Sequence, residues 1–324
     1  MTEIDGLVGD IGGTHARFAL AHVAAGRPVL SEPKTFTNRD YPSAEAAIAA
    51  YLTQVGVNRA PSRAVLAVAG PVADGAADFT NSDWDVSESQ LRRDAGFKAA
   101  RLINDFAAQA LGAPRLDPGN LQILGPDLGR PAVGTMLILG PGTGFGVAGL
   151  VREGQHETVL STEGGHVGFA PTDDLEIEIW RHFARGRDRI SIERVLSGSG
   201  LYELYQALAD IEGAPAALAD QKAVQAAAET GDPLASRTVD RFCRILGATA
   251  GDFALGYGAR AGVYVTGGVA EKLADQLAKG AFRERFEAKG RFEDYMRAIP
   301  TWLVLDPYAA LIGAASQLAA LDAQ

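Results

Sequence analysis

The chain has 324 residues, of which 47% are hydrophobic and 22% are charged, and its formal net charge is −10 at pH 7. This length and composition favour two globular domains with hydrophobic cores. The acidic balance argues against a nucleic-acid partner, and no apolar stretch is long enough to predict a membrane span. The single Cys243 excludes an intrachain disulfide and a cysteine zinc cluster, and its helical context predicts a buried thiol.

The first hundred residues alternate strand and helix signals. The segment GLVGDIGGTHARFALAH, residues 6–22, predicts two adjacent strands around a glycine turn. A helix is predicted over residues 41–56, a buried strand over 64–72, and a short helix that begins with a capping box at Ser87. The strand ARLIND and the helix FAAQALGA complete this half.

The second half repeats the opening theme. After a Pro- and Gly-rich connection, TMLILGPGTGFGVAGLV again predicts strand, glycine turn and strand, which suggests two similar halves. Three helices follow, and then come a strand, a Gly-Gly pair and a helix, a last strand, and a last amphipathic helix. The predicted segments are 115–132, 135–151, 173–186, 200–213, 232–258, 261–280, 301–307 and 309–323. This alternation predicts α/β layers.

The glycine turns can be compared with the known phosphate-binding loops. No string matches the P-loop pattern. Gly144, Gly146 and Gly149 fit the dinucleotide-binding spacing, but the residues after them predict a strand where that loop needs a helix. One hairpin with glycines could be an ordinary turn. Two of them, with VTGG after a third strand, favour a nucleotide-binding cleft between two halves.

The sequence resembles the bacterial glucokinase family, of the type without a zinc-binding cysteine motif, within the actin-like sugar kinase superfamily. The matching segments span nearly the whole chain: GDIGGTHAR, AGPV, LINDF, GPGTGFGVA, EGGHVGFAP, SIERVLSGSGL, VTGGV and KGRF. His15 stands where some members have Asn, and EGGHVGFAPTDDLE has no cysteine, so a structural zinc is not expected.

The resemblance implies a two-domain actin-like ATPase (ribonuclease H-like) fold with an interdomain cleft. The expected domains are a small one, 1–114 plus 304–324, and a large one, 115–303. The implied reaction is phosphorylation of the 6-hydroxyl of D-glucose by ATP at the entry to glycolysis. Homodimers are common in the family, and a cytoplasmic location is expected because the N-terminal sequence has no basic apolar leader.

The resemblance also assigns roles to residues. Asp105 is the expected catalytic base, although an aspartate there could instead cap the following helix. Glucose is expected to contact Asn104, Asp105, Glu163, His166 and Glu193. Sugar recognition needs several convergent polar groups. His166 could otherwise be a surface or core imidazole or a metal ligand, and Glu193 could pair with Arg194 or another cation on a helix face.

The nucleotide is expected to lie against three glycine segments. Asp10 would face the phosphates through Mg²⁺, because a carboxylate otherwise repels them, although it could simply cap the turn. The expected nucleotide-binding residues are Gly9, Asp10, Ile11, Gly12, Gly13, Thr14, Thr143, Gly144, Gly267 and Gly268. The alternatives are a kinase of another hexose such as fructose, mannose or an N-acetylhexosamine, a non-enzymatic actin-like filament or sugar-sensing regulator, and a dehydrogenase.

Overall fold

The computed structural model describes residues 5–24, 27–77 and 84–322. The chain divides into two compact units. The first unit comprises Met1–Asp117 and Asp306–Gln324, and the second comprises Pro118–Leu305. In the part of the chain that is described, no helix is both long and apolar enough to cross a membrane.

The strands and helices follow the alternation that the sequence predicts. The strands are β1 (Gly6–Ile11), β2 (His15–Ala24), β3 (Arg27–Thr37), β4 (Arg63–Val68), β5 (Val72–Ala73), β6 (Ala76–Ala77), β7 (Val86–Ser87), β8 (Ala99–Asn104), β9 (Leu121–Ile123), β10 (Gly134–Pro141), β11 (Phe145–Glu153), β12 (His156–Thr162), β13 (Gly262–Val265) and β14 (Thr301–Val304). The helices are α1 (Ala44–Gln54), α2 (Glu88–Asp94), α3 (Asp105–Gly112), α4 (Asp174–Phe183), α5 (Ile192–Val195), α6 (Gly198–Glu212), α7 (Gln221–Glu229), α8 (Pro233–Tyr257), α9 (Gly268–Lys272), α10 (Ala274–Ala278), α11 (Ala281–Glu287), α12 (Glu293–Arg297) and α13 (Ala309–Ser316).

The first unit is built on a mixed sheet with the strand order β3-β2-β1-β4-β8. β1 pairs antiparallel with β2 and parallel with β4, and β4 pairs parallel with β8. The central strand β4 is apolar and buried over most of its length, as expected for a strand covered on both faces. Ser87 caps α2 at the predicted position, since its hydroxyl accepts the backbone N–H of Gln90 and donates to Gln90 Oε1.

The second unit repeats this topology. Its sheet has the order β12-β11-β10-β13-β14-β9, in which β10 pairs antiparallel with β11 and parallel with β13. The segment after the second glycine turn is therefore a strand, not the helix that a dinucleotide-binding loop requires. The repeat of three antiparallel strands followed by parallel ones confirms the two similar halves that the glycine hairpins predicted.

Three of the predicted segments differ from the sequence expectation. The connection 115–132 contains the short strand β9, which pairs with β14 at the edge of the second sheet. The helix predicted after the Gly-Gly pair is broken at Leu273 into α9 and α10. The last helix is not amphipathic: α13 has six buried residues among its eight, because it is packed into the interior of the first unit.

The packing of α13 on α3 is unusually close because both helices carry a glycine at the contact. A Cβ placed on Gly112 would lie 1.7 Å from the Ala309 carbonyl oxygen, and one on Gly313 would lie 1.9 Å from that of Ala108. No larger side chain fits there without moving a backbone. The end of the chain thereby fixes the position of α3, whose first residue is Asp105.

Candidate active site

The first glycine turn joins β1 to β2. The Gly12 N–H donates to the His15 carbonyl at 2.9 Å, which closes the turn, and Gly13 and Thr14 lie exposed at its tip. Ile11 is buried before the turn. Glycine at position 9 leaves room for the Leu66 side chain of the neighbouring strand β4, since a Cβ on Gly9 would lie 2.7 Å from Leu66 Cδ2.

Asp10 pairs with Arg17 across this hairpin. The two residues are register partners on β1 and β2, and Arg17 Nη1 donates to Asp10 Oδ2 at 3.0 Å. Burial raises the pKa of the Asp10 carboxyl above its ordinary value, and the charge and hydrogen bond of Arg17 act in the opposite direction. A carboxylate that is buried in this way is stabilised by a neighbouring cation.

Asn104 and Asp105 form the end of β8 and the start of α3. Asn104 caps the helix, because its Oδ1 accepts the Ala107 N–H at 3.1 Å. Its Nδ2 donates both to the Gly70 carbonyl, at 3.1 Å, and to Asp105 Oδ1, at 3.0 Å. Asp105 Oδ1 also accepts the Phe106 N–H at 2.9 Å. The cap function that sequence reasoning allowed for Asp105 thus belongs to Asn104, and the Asp105 carboxylate is held in a fixed orientation.

The predicted site residues of the first unit lie at the carboxyl ends of the parallel strands of its sheet. Ile11, Val68 and Asn104 form one row across the parallel strands β1, β4 and β8. Asp10 precedes this row on β1, and Asp105 follows it after β8. The spacing of neighbouring strands places the ends of β1 and β8 about 10 Å apart.

The second glycine turn joins β10 to β11 and contacts Glu193. Thr143 is exposed at the tip, and the Gly142 N–H donates to the Gly144 carbonyl at 2.8 Å. The half-buried Glu193 carboxylate accepts the Phe145 N–H at 2.9 Å through Oε2. The same oxygen would lie 2.4 Å from a Cβ on Gly144, so this glycine is needed for the contact.

Glu163 and His166 flank a tight turn after β12. Between them Gly164 and Gly165 are buried against β11, and a Cβ on Gly165 would lie 1.9 Å from the Phe145 carbonyl oxygen. Glu163 and His166 are themselves exposed. Phe145 contacts Glu193 through its N–H and lies against Gly165 through its carbonyl, so the second hairpin is next to both Glu193 and the Gly164–Gly165 turn.

Gly267 and Gly268 lie beside the second hairpin. Gly267 has a φ of 100°, and a Cβ on it would lie 2.4 Å from the Pro141 carbonyl oxygen. Both the left-handed backbone and the close contact require glycine. Gly268 begins α9 and has open space around it, so it leaves room for a bound group.

Three further residues contact these segments and were missed by sequence reasoning. Arg17 pairs with Asp10, and Asn38 donates through Nδ2 to the Gly12 carbonyl at 2.7 Å. Arg189 donates through Nη2 to the His166 carbonyl. Only Arg17 had a signal in the sequence, because the length of the turn pairs it with Asp10 across an antiparallel hairpin.

The donor set limits which metal could be held. In residues 5–24, 27–77 and 84–322 no group of three or more His, Cys, Asp or Glu side chains could hold a metal ion. A lone carboxylate such as Asp10 still fits Mg²⁺, because this ion commonly binds one or two carboxylates and takes its other ligands from water and substrate phosphates.

Two repeats of the same mixed sheet, each with a glycine hairpin, define the actin-like ATPase fold of sugar kinases, and comparison with solved structures agrees. A glucokinase from an Antarctic psychrotroph has a TM-score of 0.87 at 38% identity, over 97% of this chain and 98% of that one. A ROK family glucokinase from Streptomyces griseus, solved in complex with glucose and AMPPNP, has a TM-score of 0.65 at 21% identity, over 96% of this chain and 97% of that one. The second likeness shows the fold alone.

The sequence comparisons identify the family. The family model described as Glucokinase matches residues 7–321. A glucokinase of Caulobacter sp. (strain K31) is 54% identical over 96% of this chain and 94% of that protein. One of Chromohalobacter salexigens is 45% identical over 96% of this chain and 97% of that protein. The chain belongs to the glucokinase family, as the sequence motifs predicted.

Proposed function

We propose that this chain transfers the γ-phosphoryl group of ATP to the 6-hydroxyl of D-glucose and releases glucose 6-phosphate and ADP. The observation that carries the proposal is the geometry of Asp105 in a chain of the glucokinase family. Its carboxylate lies at the end of a parallel strand, where the sheet edge is also lined by a glycine turn. Asn104, which caps α3, holds it in place.

Asp105 is the proposed general base. The oxygen of the sugar 6-hydroxyl attacks the γ-phosphorus, its proton passes to the Asp105 carboxylate, and the bond between the γ-phosphorus and the bridging oxygen of ADP breaks. Hydrogen bonds from Phe106 and Asn104 to Oδ1 hold the carboxylate ready for this transfer. General-base assistance of this kind is typically worth ~10²–10⁴-fold in rate.

The proposed glucose contacts are the residues that the family resemblance names, and each unit is considered by itself. In the second unit Glu163, His166 and Glu193 would supply acceptors and a donor for the sugar hydroxyls. Because Glu193 Oε2 accepts the Phe145 N–H, Oε1 would be the main acceptor for the sugar. In the first unit both N–H groups of the Asn104 amide are already used. Asn104 would therefore contact glucose through Oδ1, which can accept a second hydrogen bond.

The proposed nucleotide contacts are the three glycine segments. The exposed tips at Gly13, Thr14 and Thr143 offer backbone N–H groups and hydroxyls to phosphate oxygens, and Gly144 supports the second tip. Gly267 and Gly268 would let adenosine approach the backbone, and the open space around Gly268 supports this. Asp10 would hold Mg²⁺, which neutralises phosphate charge when bound.

The remaining expectations are part of the same proposal. The small domain (1–114 plus 304–324) and the large domain (115–303) are supported by the two compact units. A cytoplasmic location fits an enzyme that consumes ATP and free glucose. A homodimer and a cleft between the domains stay predictions for this chain.

The proposal is tested by measuring ADP production from Mg-ATP with and without hexoses. We expect turnover that depends on D-glucose, with glucose 6-phosphate as the product, and loss of turnover when EDTA exceeds Mg²⁺. Turnover with fructose, mannose or an N-acetylhexosamine alone would retain the mechanism but reject glucose as the substrate. ADP production that no hexose changes would reject the kinase proposal.

A further inference from the structure

Asn38 lies directly beneath the first glycine turn. It follows β3 and is 6% exposed. Its side-chain Nδ2 donates to the Gly12 carbonyl at 2.7 Å, and its backbone N–H donates to the Thr14 carbonyl at 2.9 Å. One residue, distant in sequence, therefore binds carbonyl groups on both sides of the tip residue Gly13.

The hydrogen bond to Gly12 determines where the Gly13 N–H points. A trans peptide is planar, and its C=O and N–H groups point in opposite directions. The peptide between Gly12 and Gly13 has its carbonyl directed at Asn38, so the Gly13 N–H is directed away from the protein interior. Gly13 is exposed, and this N–H therefore faces outward from the turn.

The side-chain oxygen Oδ1 of Asn38 indicates that an asparagine at this position is not explained by the stability of the fold alone. Within the described residues Asn38 Oδ1 is buried and has no hydrogen-bond partner. A buried acceptor without a partner destabilises a fold. The orientation of the amide is fixed all the same, because the Gly12 carbonyl can only accept and must face the NH₂ group. An apolar residue of similar size would avoid the unsatisfied oxygen but would lose the hydrogen bond to the turn.

We propose that Asn38 is a positioning residue for the nucleotide: by fixing the Gly12–Gly13 peptide, it presents the Gly13 N–H to a phosphate oxygen of ATP. This inference rests on the proposed function, in which Gly12, Gly13 and Thr14 form a phosphate-binding hairpin. Asn38 touches neither substrate and acts through the backbone of the turn.

The test compares Asn38→Ala and Asn38→Asp with the exposed Asn58→Ala as a matched control. Both Asn38 variants lose the donor to Gly12, and Asn38→Asp keeps the size and shape of the side chain. We expect the KM for Mg-ATP to rise about tenfold in each, since one hydrogen bond would be lost. We expect kcat and the KM for glucose to stay within about twofold, and Asn58→Ala to match the wild type.

Two results would overturn the inference. One is an unchanged KM for Mg-ATP in folded Asn38 variants. The other is a parallel rise in the KM values for Mg-ATP and glucose, which a general loss of structure would cause. If both variants fail to fold, Asn38→Ser is measured in the same way. A wild-type protein without glucose-dependent turnover would instead reject the proposed function, so the two failures are distinguishable.

Discussion

Asn104 and Asp105 make different hydrogen bonds at the start of α3, and the sequence alone could not tell which of them caps the helix. Either side chain can cap a helix, so the string LIND allowed Asp105 to be a cap or a base. The hydrogen bond from the Ala107 N–H to Asn104 Oδ1 identifies Asn104 as the residue that caps α3. Long-range contacts are harder to predict from the sequence. Asn38 donates a hydrogen bond to Gly12, 26 residues earlier in the chain, and no local pattern of propensity or spacing predicts it.

Cys243 gives a prediction at the residue scale. Its side chain is fully buried in α8, and burial raises the pKa of the thiol to about 12. The thiolate is the reactive form, so the native protein should resist alkylation by iodoacetamide at pH 8. The same chain in guanidinium chloride should gain one carbamidomethyl group by mass spectrometry. Rapid labelling of the native protein would contradict the buried thiol.

At the scale of elements, the hairpins were predictable because glycine turns between apolar strands have a clear local signature. The strand β9 was not, since three residues within a Pro- and Gly-rich segment give no periodicity, and it forms only by pairing with β14. The burial of α13 was also missed. Its alanines and glycine suit a close contact with α3, and that contact depends on a partner about 200 residues earlier in the chain.

The second hairpin offers a matched pair of glycine substitutions. A Cβ on Gly140 would lie 1.7 Å from the Thr266 carbonyl oxygen, whereas one on Gly142 would meet open space. Gly140→Ala should therefore lower the free energy of unfolding by roughly 1–3 kcal/mol, and Gly142→Ala by less than about 0.5 kcal/mol. Urea denaturation of both variants measures the difference. Equal stabilities would show that Gly140 is not packed against the strand end of β13 as described.

At the scale of the whole molecule, the repeated sheet places the two glycine turns at corresponding strand ends, after β1 in the first unit and after β10 in the second. The residues after β8 and the Gly-Gly pair after β13 follow other parallel strands of the two sheets. The sequence motifs identified these segments and the family. They could not supply the contacts within each cluster, such as that of Glu193 with Phe145, because those depend on how separate segments pack.

The surroundings of His182 predict how the free energy of unfolding depends on pH. Burial and the nearby Arg185 lower the pKa of its imidazole, and Asp210 and Glu203 only partly offset them. The unfolded chain therefore takes up a proton near pH 6.5 that the folded chain does not, and stability should fall as the pH drops through that value. His182→Gln should reduce this loss between pH 7.5 and about 5.5, and the exposed His156→Gln should not. Identical urea midpoints for the wild type and His182→Gln across this range would contradict the prediction.

The central claim is that Asp105 is the base of a glucose kinase, and Asp105→Asn tests it most directly. Asparagine keeps an oxygen that can accept the Phe106 N–H, so the start of α3 should persist. The measurement is glucose-dependent ADP production under saturating Mg-ATP, with glucose affinity determined by calorimetry on the same samples. We predict a fall in kcat of ~10²–10⁴-fold with glucose affinity within a few-fold of the wild type. A folded Asp105→Asn enzyme that turns over glucose at nearly the wild-type rate would contradict the account.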